Sequence, residues 1–303
     1  MNKAEAWTKA SRIPAQMFIF PSLLLGQIIH FSMHKEFNWL VFVLIHTYGL
    51  LMHLFIVYAN DYADYETDRQ NKTFTPFTGG SRVLIEGYLS KKNILYGAVV
   101  MAIMCLFIGV LLSFYIGNAF ILLLVIAGIL LLYAYSFSPM KISYRGFGEL
   151  LQMIGVGLVL PLIGYLSQGG NINAFPWTII IIILPSQLAM AISTSLPDEP
   201  SDRLSSKRTS VVILGHYKAK LLIILLYTVS FISILIYQRG TLINLSGIIF
   251  SLITSVLILL QLFILSNYSI KPGSKMITYF VLLSILTNTV IVLGLSYIIF
   301  KHA

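Results

Sequence analysis

Nine apolar stretches run through this chain, at roughly 14–33, 39–59, 94–116, 118–136, 146–167, 174–197, 220–238, 242–265 and 276–300, each near the ~20 residues that carry a helix across ~30 Å of hydrocarbon. No other feature restricts the fold as much. Of the 303 residues 57% are apolar and 10% charged, where a soluble globular domain has about 25% charged. A soluble fold of this size would need an apolar outer shell as well as an apolar core. The same figures exclude disordered, collagen-like and disulfide-stapled chains, so a multi-pass protein of the lipid bilayer is expected. Met1 to Arg12 is polar and of mixed charge, and no small-residue cleavage site follows the first apolar run. That run reads as a retained span rather than a signal peptide.

Charge sets the orientation. The net charge of +9 would suggest a nucleic-acid partner in a soluble protein, but here Lys and Arg flank membrane spans, and no nucleic acid is expected. With the N-terminus inside, 17 of the 20 basic residues fall on the inner side, leaving Lys35, Arg239 and Lys301 outside. This strong positive-inside bias places the N-terminus and the long loops 60–93 and 198–219 in the cytoplasm, with the cell (inner) membrane as the location. Cys105 is the only cysteine, so no disulfide can form within the chain.

The acidic residues are distributed unevenly. Eight of the 11 lie in the two long inner loops: Asp61, Asp64, Glu66, Asp68 and Glu86 in the first, Asp198, Glu199 and Asp202 in the second. Carboxylates at the ends of membrane helices are costly unless paired, solvated or metal-bound. If the second span continues inward, Asp61, Asp64 and Asp68 share a face at i, i+3 and i+7, and Asn60 lies one turn from Asp64. Asp198 and Asp202 repeat the spacing at i and i+4. Like charges stacked in this way make sense around a divalent cation, and all-oxygen donors suit Mg²⁺, which shares its remaining positions with phosphate. Arg69, Lys72, Arg203, Lys207 and Arg208 adjoin the acids and suit the outer phosphate oxygens.

These residues carry a resemblance. Asn60-Asp61-x-x-Asp64-x-x-x-Asp68 closing the second span and Asp198-x-x-x-Asp202 closing the sixth resemble the UbiA-type intramembrane prenyltransferases. The likeness covers nearly the whole chain, through Pro76-Phe77-Thr78-Gly79-Gly80-Ser81-Arg82-Val83-Leu84, Tyr133-x-Tyr135-Ser136-x-Ser138-Pro139-x-Lys141, Arg145-Gly146-x-Gly148-Glu149 and Lys207-Arg208-Thr209, with Leu214-Gly215 a little later. Within the superfamily the Gly-Gly-Ser-Arg-Val-Leu and Tyr-Arg-Gly-x-Gly-Glu runs are most similar to 1,4-dihydroxy-2-naphthoate polyprenyltransferases of menaquinone biosynthesis. One departure is Pro200, which together with Pro197 is expected to break the helix between Asp198 and Asp202.

The resemblance implies an all-α single domain over 1–303, with about nine transmembrane helices bundled around a central cavity capped by cytoplasmic loops. It implies Mg²⁺-dependent transfer of a prenyl chain from a prenyl diphosphate to an aromatic acceptor. By the same resemblance Asn60, Asp61, Asp64, Asp68, Asp198 and Asp202 hold the metal, with Asp64, Asp68, Asp198 and Asp202 central to catalysis and Arg69 and Lys141 helping on the diphosphate. Tyr62, Tyr65, Tyr133 and Tyr135 stand at the relevant span ends, where π-faces suit an allylic cation. Arg82 is expected to grip an acceptor carboxylate, or alternatively to anchor its own loop or bind the diphosphate. The acceptor's own alternatives include 4-hydroxybenzoate. A rival from another class is a secondary transporter, whose sites would lie at mid-membrane on broken helices; Pro161 and Pro185 are its best support. His30 and His34 read as interfacial packing, and His53, a heptad before Asn60, as a candidate for the pocket wall.

Overall fold

The computed structural model describes residues 1–13, 18–75, 78–238, 245–267 and 271–301. Among these the chain is helical, with one isolated bridge between Thr75 and Thr78. The nine expected spans appear as α2 (Phe20–His34), α3 (Trp39–Ala63), α5 (Lys91–Ile116), α6 (Phe120–Ser136), a helix that runs from α7 (Gly148–Ile154) through a π turn into α8 (Leu160–Ser167), α9 (Trp177–Ser195), α12 (His216–Tyr237), α13 (Leu245–Asn267) and α14 (Lys275–Lys301). Seven are long and apolar enough to cross a membrane, which makes this an integral membrane protein. The other two, α2 and α6, have 15 and 17 residues. Residues 14–17, the start of the first expected span, lie outside the described residues.

Local chemistry sets the helix ends. Asn38 and Ser90 begin α3 and α5 by accepting backbone N–H bonds from Val41 and Asn93. Gly117, at φ +71°, ends α5 in the left-handed conformation that a Cβ disfavours, and α6 follows almost at once. Pro161 lies in the first turn of α8, directly after a π turn over Gly155–Val159. Across that turn the Leu160 N–H donates to Gly155 O, the wider register of a π turn, just before the proline that has no N–H to give. The two prolines therefore leave these segments helical, so the discontinuous spans of a transporter are not what they produce.

Packing pairs α3 with α5, α2 with α8 and α9 with α12, while α14 lies against α2, α9 and α13. The α2–α8 crossing is the tightest. A Cβ on Gly26 would meet the carbonyl oxygen of Pro161, and one on Gly164 that of Leu23. Two backbones touch because neither position carries a side chain, the small-residue packing that membrane helices use in place of a hydrophobic driving force. Gly26→Ala or Gly164→Ala should therefore cost on the order of 1–3 kcal/mol, as overpacking does. The check is a lowered midpoint of thermal unfolding in detergent.

One end of the bundle carries a cap built from α1 (Lys3–Ala10), α4 (Tyr65–Gln70), α10 (Glu199–Leu204) and α11 (Ser210–Leu214). α1 opens with a reciprocal capping box between Asn2 and Glu5. It is fastened by Trp7 edge-on to Tyr58 at 5.2 Å and by Lys9 with Glu86.

Candidate active site

Both acidic motifs lie where a long helix hands over to a short one. α3 ends at Ala63, Asp64 forms the junction, and α4 continues, with the Asp64 N–H donating to Asn60 O and the Asp68 N–H to Asp64 O. At the second motif α9 ends at Ser195, and α10 starts with Asp198 as its N-cap. Pro200 occupies the first turn of α10, where the missing N–H has no intrahelical partner to lose. The Asp202 N–H still donates to Asp198 O at 2.9 Å. The expected break between these two aspartates is thus absent; the interruption lies before Asp198, beside Pro197.

The motifs face each other across the mouth of a cavity of about 260 Å³. Asn60, Asp64, Asp68, Asp198, Asp202 and Lys207 all line it. Lys207 is buried at the centre, its Nζ 3.0 Å from Asp64 Oδ2 and 3.9 Å from Asp202 Oδ1. Asn60 Nδ2 also donates to Asp64 Oδ2, at 3.1 Å. Asn71 Nδ2 donates to Asp198 at 2.7 Å, joining the first loop to the second motif. Below this polar layer the wall is apolar: Ile56, Met52 and Tyr48 from α3, Leu132, Leu131 and Gly128 from α6, then Val156, Val159 and Leu160. Tyr135 marks the boundary, its ring centroid 6.0 Å from Lys207 Nζ.

Burial pushes the Asp68 carboxyl up to about 8, helped by repulsion from Asp64, Asp61 and Asp198. Burial likewise raises Asp202 to about 7, with Lys207 pulling the other way. The Lys207 ammonium stays protonated because Asp64 and Asp202 outweigh its own desolvation. One lysine therefore leaves the carboxylate layer short of positive charge. Among the described residues, no group of three His, Cys, Asp or Glu side chains is already gathered at metal-binding distance. The donor set nevertheless fits a hard divalent cation: all oxygen, undercompensated, and open to a cavity that can supply further ligands.

Other expected residues stand elsewhere. Asp61 is buried behind the layer, where both its oxygens accept from Ser81, and Arg12 Nη1 lies 3.9 Å away. Arg69 is exposed and pairs with Glu66 at 3.3 Å, and Arg203 is exposed and pairs with Glu199 at 2.6 Å. Lys72 is exposed, and Lys141 Nζ lies 4.8 Å from the Tyr144 ring. Arg82 donates to the carbonyl oxygens of Asp68 and Asn71 and stacks on Phe74. This is the loop-anchoring alternative for that residue. None of these six side chains lines the cavity.

Sequence reading missed Arg12, Asn71 and Gln152, which take part in the site or its wall, and gave no role to Thr78, which lines it within the motif that carries the resemblance. Arg12 was hidden in an N-terminal stretch that looked like ordinary span-flanking charge. His53 does line the cavity, its Nε2 2.7 Å from the Ser11 carbonyl oxygen. His30 and His34 stack at 4.4 Å, as packing residues would. Pro76 and Phe77 lie outside the described residues.

Comparison with known proteins identifies the family and the fold. A model of the UbiA prenyltransferase family matches residues 19–299. The chain belongs to the UbiA prenyltransferase family. It is accordingly a prenyltransferase. Among curated relatives, the 1,4-dihydroxy-2-naphthoate octaprenyltransferase of Haemophilus influenzae is 24% identical over 97% of this chain and 96% of its own. That of Bacillus subtilis is 30% identical, over 41% of each chain. Among solved structures, the apo UbiA homologue from Aeropyrum pernix K1 superposes with a TM-score of 0.71 at 16% identity, covering 93% of this chain and 97% of that one. The UbiA homologue from Archaeoglobus fulgidus bound to GPP and Mg²⁺ gives 0.67 at 14% identity, over 98% and 99%. These superpositions show a shared fold.

Proposed function

We propose that this UbiA-family enzyme transfers the prenyl group of a prenyl diphosphate to 1,4-dihydroxy-2-naphthoate, as a step toward menaquinone, at the cytoplasmic face of the membrane. The observation that carries the reading is a layer of carboxylates around a buried lysine, set directly over an apolar cavity. A charged head and a hydrocarbon tail fit that sequence of surfaces. The relatives named for the naphthoate acceptor, and the Archaeoglobus structure with GPP and Mg²⁺, support it.

Asn60, Asp64, Asp68, Asp198 and Asp202 would hold Mg²⁺, with Asp61 behind them fixing the 79–81 turn. When bound, the metal supplies positive charge against the diphosphate oxygens as the allylic C–O bond breaks. Lys207, already at the mouth, would bind the diphosphate as well and stabilise the electron pair that leaves with it. The apolar walls exclude water from the allylic cation, and Tyr135 offers it a π-face. An electron pair of the acceptor ring then closes the new C–C bond, and the attacked carbon releases its former substituent as an electrofuge.

An acceptor panel tests the assignment. Membranes holding the full chain, Mg²⁺ and geranyl diphosphate should prenylate 1,4-dihydroxy-2-naphthoate in preference to 4-hydroxybenzoate, read by mass spectrometry. Preference for the benzoate would overturn the acceptor. Topology is tested separately, with Cys105 buried and silent. A cysteine at exposed Ala174 should react with an impermeant maleimide added outside intact cells, and one at exposed Lys72 should not. Ala174 is chosen over neighbouring Gly170, which is packed against the Tyr165 ring. The reverse labelling pattern would invert the orientation.

A further inference from the structure

The apolar part of the cavity has a definite floor. On α3 the wall descends through Asn60, Ile56, His53, Met52 and Tyr48, a drop of about 18 Å at 1.5 Å per residue. On α6 it descends through Tyr135, Leu132, Leu131 and Gly128, a helical stripe facing the cavity. The two stripes converge at the bottom. A Cβ built on Gly128 would lie 3.2 Å from Met52 Cε and 3.7 Å from the Tyr48 hydroxyl. Tyr48 is only 1% exposed, and its hydroxyl is buried with no hydrogen-bond partner among the described residues.

Resting on the prenyl-transfer reading, we propose that Gly128, Met52 and Tyr48 form a floor that sets how long a prenyl chain the enzyme accepts. The diphosphate would be tied to the carboxylate and lysine layer, so chain length is spent downward, along a wall that is mostly apolar. Gly128 is the one position on the α6 stripe without a side chain, and it stands where the stripe meets α3. The Met52 methyl and the Tyr48 hydroxyl fill the space it leaves, and so close the wall beneath the far end of the tail. A larger residue there takes volume from long chains before short ones. Trimming Met52 returns volume at the same depth. Discrimination follows from hydrocarbon burial, which is lost methylene by methylene as the tail is pushed from its pocket.

The test is a competition. Membranes bearing the full chain receive Mg²⁺, one acceptor and an equimolar mixture of geranyl, geranylgeranyl and C40 prenyl diphosphates, with products separated by mass. The readout is the ratio of the longest product made by the unmodified protein to the geranyl product. Gly128→Leu should lower that ratio at least tenfold, Gly128→Ala should lower it less, and Met52→Ala should raise it. Gly128→Ala is the safeguard against misfolding, because its new Cβ meets only the end of the flexible Met52 side chain. Ratios within twofold of the unmodified protein in both Gly128→Ala and Met52→Ala would overturn the floor while leaving prenyl transfer standing. Failure of the unmodified protein to use any of the three diphosphates would bring down prenyl transfer itself.

Discussion

Asp64→Asn and Asp198→Asn are each expected to lower prenyl transfer by about a thousandfold or more, in protein that still folds and reaches the membrane. The two residues hold the layer together from opposite sides. Asp64 comes from the α3–α4 junction and bonds Lys207 and Asn60, whereas Asp198 caps α10 and accepts from Asn71. An amide keeps the size of the side chain but lacks the charge that attracts a divalent cation. It also presents N–H donors where Asn60, Asn71 and Lys207 already donate. Loss of a preorganised electrostatic contact to a developing anion costs roughly 3–4 kcal/mol, or ~10²–10³ in rate, and weaker metal binding adds to it. The companion measurement is prenyl diphosphate binding with and without Mg²⁺, which should lose its metal dependence in both variants. Turnover within tenfold of the unmodified protein in either variant, or full activity in excess chelator, would remove the carboxylate layer from the mechanism.

The fold was legible because span length and charge placement are decided one segment at a time. Eight of the nine helices begin and end within four residues of the expected limits. The acidic motifs were legible for a related reason: a carboxylate beside a membrane span has few inexpensive surroundings. What sequence spacing could not supply was direction. Asp61 and Asp64 both belong to the first motif, yet the bend at Asp64 turns one carboxylate to Ser81 and the other to Lys207. Six cations counted with the site, Arg69, Lys72, Arg82, Lys141, Arg203 and Arg208, lie beyond its lining. Long basic side chains reach several positions, and nearer partners such as Glu66, Glu199 and the Asp68 carbonyl capture three of them. Arg12 shows the converse, since only the docking of α1 brings it to the cavity.

Lys207 is the one predicted cation that the fold places inside the layer, and Lys207→Met tests whether its position matters to the chemistry. Its ammonium is buried and held between Asp64 and Asp202. Removing one partner of a buried ion pair destabilises by about 3–5 kcal/mol when the other charge is stranded. Here Mg²⁺ can take over some of that compensation, so the variant should recover stability when metal is added, and its unfolding midpoint should depend more steeply on Mg²⁺ than that of the unmodified protein. Turnover should not recover in parallel. If Lys207 contacts the leaving diphosphate directly, a metal held by the carboxylates does not replace that contact, and its loss costs on the order of 10²-fold in kcat at saturating metal. Lys207→Arg should return part of it, because the charge remains although the guanidinium is larger and flatter than the ammonium. The two roles separate cleanly in this comparison. If saturating Mg²⁺ restored both stability and kcat of Lys207→Met to within twofold, the lysine would be a counter-ion for the carboxylates alone, and leaving-group stabilisation would rest with the metal.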